Sequence, residues 1–213
     1  MGQVAFGCDE LPGVAHEAVA QKWVAAVSER DGCALACVND GVYGSDFVDG
    51  EMRLTLMRSP AYSGHPINDR PVTPSDRYTM RQEQGERQFR FWFRAGEAAA
   101  LMGDIDRVAL SHNEKPFVLS FYPTGVGKKP AFPLVQLEGD AVVMTAFKRA
   151  AEGCGYVIRL FEPTGAARTA LLRIGPLGLA TEVSLSPFEI KSFVLDPKAR
   201  TLSECDLMEQ PLG

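Results

Sequence analysis

No apolar stretch in this chain approaches the roughly 20 residues that a membrane-spanning helix requires. Positive charge is equally sparse in clusters, with no Lys/Arg run longer than the pair Lys128-Lys129 in a chain of net charge −5. A surface that tracks phosphates needs concentrated positive charge. Nucleic acid and membrane are therefore not expected as partners. The amino terminus lacks the basic-then-apolar arrangement of a secretory signal, and no Asn-x-Ser/Thr triplet occurs. Internal repeats and low-complexity tracts are absent too.

Chemistry-bearing motifs are just as scarce. The three histidines, His16, His65 and His112, form no His-x-x-x-His, His-x-His or His-x-Asp pattern. A zinc site needs several ligands at workable spacing, so each reads as a surface or loop residue. The five cysteines, Cys8, Cys33, Cys37, Cys154 and Cys205, are odd in number and irregularly spaced. That is a poor disulfide framework and suits a reducing, cytoplasmic setting. Cys33 and Cys37 lie in the apolar run Cys33-Ala34-Leu35-Ala36-Cys37-Val38 and would share one strand face, which predicts core packing for both. No Gly-x-Ser-x-Gly elbow is present. Gly125-Val126-Gly127-Lys128-Lys129 resembles a phosphate loop only superficially, because Tyr122 and Lys129 stand where Gly and Ser/Thr are needed.

What is present is the composition of a globular protein. Of 213 residues, 46% are hydrophobic and 23% charged, and a chain of this size buries roughly two-thirds of its surface without disulfides or a structural metal. Most of it reads with a period of two, as strands with one buried face do. Met52, Leu54 and Leu56 alternate with polar residues. Phe89, Phe91 and Phe93 alternate with Arg90, Trp92 and Arg94, and Tyr156, Ile158 and Leu160 with Val157, Arg159 and Phe161. Ala170, Leu172 and Ile174 alternate with Leu171 and Arg173, and Val183 and Leu185 with Glu182 and Ser184. Residues 141–147 are apolar on both faces and predict a central strand covered from both sides. Asn39-Asp40-Gly41 and Glu162-Pro163-Thr164-Gly165 carry turn chemistry.

One segment departs from this period. Over residues 97–111, Leu101, Ile105, Val108 and Ala109 fall at helical spacing behind an alanine run, and Pro116 ends any continuation. Asp104 and Asp106 on this helix are two apart and do not share a face, so solvation accounts for both. The stretch 116–139 is rich in Pro and Gly and reads as irregular connection. The sequence thus predicts an all-β protein, a β-sandwich with one short helix. Residues 1–96 form a first β region, 97–115 a connecting helix, and 116–213 a second, smaller β domain.

Six segments, in order along the chain, resemble the β region of bacterial family 38 glycoside hydrolases. They are Val38-Asn39-Asp40-Gly41-Val42-Tyr43-Gly44, then Leu54-Thr55-Leu56-Met57-Arg58-Ser59-Pro60-Ala61-Tyr62, then His65-Pro66. Gln82-Glu83-Gln84-Gly85-Glu86-Arg87-Gln88-Phe89-Arg90-Phe91 follows, and Val157-Ile158-Arg159-Leu160-Phe161-Glu162-Pro163-Thr164-Gly165 comes next. Pro187-Phe188-Glu189-Ile190-Lys191-Ser192-Phe193 is the last. Departures from the family pattern are small: Val42 where Lys is frequent, Glu83 for Asp, and Ser192 for Thr.

The resemblance implies a zinc-dependent α-mannosidase as parent enzyme, cleaving α-linked mannose with retention. Its Asp nucleophile and its zinc, held by His and Asp, would belong to an amino-terminal catalytic domain followed by a helical bundle. No position here matches those motifs. No catalytic residue or metal ligand is therefore carried over, and zinc is expected only in the missing catalytic domain. This chain would be the end of the mannosidase sandwich plus a small carboxy-terminal β domain, scaffolding the enzyme and rimming its active site. The start Met1-Gly2 before Gln3-Val4-Ala5-Phe6 is expected to be an arbitrary one. Partners would be the catalytic and helical domains and a mannose-containing oligosaccharide.

Most of the resembling residues have structural readings. Arg159 and Glu162 can brace a turn, Glu189 and Lys191 can be a solvated edge, and Arg58-Ser59-Pro60 can end a strand where Pro interrupts pairing. The 39–44 loop is different, because loops on a rigid sandwich often present contacts. Asn39, Asp40 and Tyr43 are the candidate substrate-binding residues, offering amide, carboxylate, phenol and an aromatic face. A free-standing carbohydrate-binding or interaction module is the alternative, since one sandwich hosts many functions.

Overall fold

The computed structural model describes residues 1–12, 16–60, 81–119, 132–139 and 141–212. The strands are β1 (Gly2–Val4), β2 (Gly7–Asp9), β3 (Ala18–Val19), β4 (Trp23–Ser28), β5 (Cys33–Asn39), β6 (Gly44–Val48), β7 (Glu51–Leu54) and β8 (Phe91–Glu97). Helix α1 (Ala98–Asn113) follows. Then come β9 (Val135–Glu138), β10 (Val143–Arg149), β11 (Tyr156–Phe161), β12 (Arg168–Ile174), β13 (Leu179–Leu185), β14 (Ile190–Asp196) and β15 (Thr201–Cys205). The protein is all-β with one helix.

The first β unit is built on an antiparallel sheet of order β2-β1-β4-β5-β8. Alternation along β4 and β5 gives this sheet two apolar faces. Trp23, Ala25, Ala34, Ala36 and Val38 meet α1 through Leu101, Ile105 and Ala109, the i, i+4, i+8 positions that a helix brings to one side. Val24 and Cys37 point the other way, toward Met52 and Leu54 of the small sheet β3-β6-β7. The helix begins at Glu97, whose side chain accepts hydrogen bonds from the Ala99 and Ala100 amides, donors that would otherwise be orphaned. At the far end Asn113 Nδ2 donates to the Ala109 carbonyl. The connecting helix is thus also a layer of the first unit.

The second unit is a four-stranded sheet, β10-β11-β14-β15, facing a three-stranded one, β13-β12-β9. Ile158 and Leu160 of β11 and Phe193 and Leu195 of β14 interleave with Ala170, Leu172 and Ile174 of β12 and Val183 and Leu185 of β13. Burying a side chain such as Ile158 or Leu160 contributes about 1.5–3 kcal/mol.

Three expectations from the sequence need correction. Residues 141–147 do not form a doubly covered strand: the strand there, β10 (Val143–Arg149), lies at the edge of its sheet, and most of its side chains are exposed. A bulge between Met144 and Ala146 breaks its alternation, and only Ala141 and Val142 before it are buried. Apolar composition was mistaken there for two-sided burial. Cys33 is exposed while Cys37 is buried, because the covering sheet β3-β6-β7 reaches only the Cys37 end of β5. Nor does Phe93 lie on a buried face. It is 60% exposed, on the outer strand of the sheet, although its cross-strand partner Cys37 is buried.

Candidate functional site

The 39–44 loop leaves the end of β5 and returns as β6. Asn39 is only 3% exposed, and all of its polar groups are engaged. Its Oδ1 accepts from the Gly41 and Val42 amides at 3.1 and 3.2 Å, and its Nδ2 donates to the Gln21 carbonyl at 2.7 Å. The Asn39 carbonyl accepts from Asn113 Nδ2 at 2.9 Å. This is a side chain closing its own turn, and Asn39 shapes the loop from beneath. Gly41, at φ +84°, supplies the left-handed step. Gly44 permits a close approach, since a Cβ there would sit 2.9 Å from Glu17 Oε1.

Tyr43 is 53% exposed, with its carbonyl held by the Ala20 amide at 3.0 Å. It forms one wall of a groove of about 600 Å³. Thr55, Leu56, Met57 and Arg58, which follow β7, line it too, together with Glu83, Arg87 and Phe89. The structure therefore brings Tyr43 into a concave site but not Asn39, and Asp40 is exposed outside the groove lining. The sequence places Phe89 in one alternating run with Phe91 and Phe93, and Glu83 and Arg87 only in the segment that resembles the family. β8 instead starts only at Phe91, which frees Phe89 and Arg87 for the groove. Their signal was the polar run before Phe89, too rich in charge for a buried strand. No ion pair among the described residues engages Arg58, Arg87 or Glu83, so their charges remain available to a ligand.

The remaining segments meet in the second unit. Glu162 is 0% exposed, and its Oε1 accepts from the Thr164 amide at 2.8 Å and from the Thr164 hydroxyl. Its Oε2 accepts from the amides of Gly165, Ala166 and Phe188 at 2.8, 3.2 and 3.1 Å. Burial raises its pKa, but these bonds to the charged form outweigh burial and the net shift is downward. Arg159 does not join this cage. It donates to Ser192 Oγ at 3.0 Å and to the Leu207 carbonyl at 3.2 Å. Both residues act as braces. Glu189 and Lys191 are partly exposed, with Glu189 accepting from the Ser186 amide.

Asp106 requires a further correction, because it is not a solvated helix residue. It is 7% exposed, and its Oδ1 accepts from Trp23 Nε1 at 3.0 Å and Gln3 Nε2 at 2.8 Å. Burial pushes its carboxyl up, against the pull of those two bonds. Asp104 instead forms a two-pronged pair with Arg94 at 2.7 and 3.1 Å. Spacing along the helix shows that the two acids face apart, but not which of them faces the sheet.

Among the described residues, no three His, Cys, Asp or Glu side chains converge as a metal site. His112 stacks on Trp92, ring centroids 4.1 Å apart, and His16 is exposed. His65, Pro66, Ala61, Tyr62 and the 125–129 segment lie outside the described residues. No helix among the described residues is long and apolar enough to cross a membrane.

By fold and site, then, this is an all-β protein of two sandwich-like units, with an open groove of mixed charge beside an exposed tyrosine. No protein-family model matches the chain, and no curated protein matches it.

Proposed function

We propose that the chain is the non-catalytic carboxy-terminal β region of a family 38 glycoside hydrolase, an α-mannosidase, and that its Tyr43 groove rims the active site. The observation that carries this reading is convergence. Segments that resemble the family but lie far apart in sequence meet at two places. The 39–44 loop, the 54–60 strand end and the 82–91 segment line one groove, and the 157–165 and 187–193 segments join through Glu162. The groove's chemistry supports it as well. The Tyr43 phenol both donates and accepts, Arg58 and Arg87 donate, Glu83 accepts, and Phe89 offers an apolar face. Sugars are gripped by such mixtures of hydrogen-bonding groups and aromatic surface.

In this reading the chain performs no bond cleavage itself. It holds the outer part of a mannose-containing oligosaccharide while a separate catalytic domain, with its own zinc, carries the chemistry. The isolated chain should neither hydrolyse an aryl α-mannoside nor retain stoichiometric zinc after dialysis, and either result would overturn the proposal. In the full-length enzyme, Tyr43→Ala should lower kcat/KM about tenfold, or about 1.4 kcal/mol of transition-state binding, with an unchanged melting temperature. A fall in stability with full activity would instead make the loop a tight connection only.

A further inference from the structure

We propose that the cleft between the two β units is a second ligand site, built for a single neutral sugar ring and anchored by Asp106. The cleft encloses about 210 Å³, and elements of both units close it. Gln3, Phe6 and Lys22 come from the first unit with Asp106, and Thr145 and Phe161 come from the second. Clefts between units, apolar in their walls with a few convergent polar groups, are where small ligands commonly bind.

Two independent features point to an occupant. The first is the second oxygen of Asp106. Oδ1 serves both Trp23 and Gln3, which leaves Oδ2 open to the solvent of the cleft, since no buried side-chain oxygen among the described residues lacks a partner. An asparagine would hold the same two donors through one oxygen without burying a charge. A carboxylate with an unused oxygen at a cleft suits a ligand that brings hydroxyl donors. The second feature is Phe6. It stands at φ +56° in the two-residue turn between β1 and β2, whose Val4–Gly7 pairing calls for that conformation, and it is placed there at the cleft. Its ring is 63% exposed at the cleft mouth and meets Phe161 edge-on at 5.9 Å. Aromatic surface thus shares the cleft lining with the Asp106 carboxylate, with Lys22, which also lies 3.8 Å from Glu114, and with the Gln3 and Thr145 side chains. That combination matches the two-sided character of a pyranose, apolar on its C–H face and hydroxylated at its rim.

The choice of a sugar over other small polyols rests on the proposed function above, whereas the site itself does not. The test is a titration of the isotopically labelled chain with methyl α-D-mannopyranoside, read by amide and indole NMR. The Trp23 indole proton, bonded to Asp106, and the Gln3 and Lys22 amides should shift together toward saturation, with a dissociation constant on the order of 1 mM. Asp106→Asn and Thr145→Val should each weaken this at least fivefold. Thr145 is exposed on an edge strand, so its variant carries the test if Asp106→Asn fails to fold. Phe6→Gly should abolish the shifts without lowering the melting temperature, because glycine accepts the backbone conformation freely. Unmoved cleft resonances, or equal affinity in both variants, would overturn the inference. Shifts confined to Gly41 and Tyr43 would do so too while leaving the proposed function standing. Cleft shifts with a silent groove would uphold the site and remove the groove.

Discussion

In the first β unit, a buried carboxylate, Asp106, is held by two side-chain donors on one of its oxygens. In the second, Glu162 is fully buried and accepts four backbone amides and a hydroxyl across both oxygens. The consequence is opposite titration. For Asp106 burial dominates and the carboxyl is pushed up, whereas for Glu162 hydrogen bonding to the charged form overcomes burial and the carboxyl is drawn down. Depth alone does not decide what a buried acid does. The donors aimed at it count as well.

Replacing Glu162 should break this contrast most severely. Glu162→Ala leaves several amides without an acceptor in a buried turn, and urea denaturation should show a loss of about 3 kcal/mol or more. Gly165→Ala attacks the same cage from its frame. Gly165 has φ +73°, and a Cβ there would lie 2.7 Å from the Phe188 ring, so the variant should lose about 1–3 kcal/mol. Asp106→Leu orphans the Trp23 indole and the Gln3 amide, and a loss of about 1–2 kcal/mol is expected by the same denaturation assay.

A pH series sharpens the comparison. The stability that Glu162 contributes is present above the ordinary glutamate range and is lost as pH falls through its lowered folded value. The contribution of Asp106 has the opposite sign, full below the ordinary aspartate range and lost as pH rises through its raised folded value. Glu162→Gln should therefore flatten the acid side of the stability profile, and Asp106→Asn the side above it. The smallest effect belongs to Tyr43→Ala, whose exposed ring should change folding stability by no more than about 0.5 kcal/mol.

The strands of the second sandwich were legible because period-two alternation there coincides with real one-sided burial, as in Ala170, Leu172 and Ile174. The helix was legible through Leu101, Ile105 and Ala109. Alternation failed where the covering layer is incomplete, since Phe93 and Cys33 alternate correctly but lie under nothing among the described residues. The site was legible only as a loop. That Tyr43 would share a groove with Arg87 and Phe89, some forty-five residues on, depends on where β8 begins, which no local signal marks. The role of Asn39 as a turn-closer, rather than a contact, lay in the Asx chemistry already visible in Asn39-Asp40-Gly41. The fate of Asp106 was hidden because the helix fixes only relative directions.

The outer strand of the first sheet also bears on handling the protein. β8 is an edge strand with no neighbour on its outer side among the described residues, and it carries Phe93 beside the half-exposed Leu35 of β5. Free strand edges bearing apolar side chains template pairing between molecules. Concentrated solutions of the chain alone should thus drift toward aggregates, and a lysine in place of Phe93 is the substitution that keeps the sheet intact while making that edge repel its own kind.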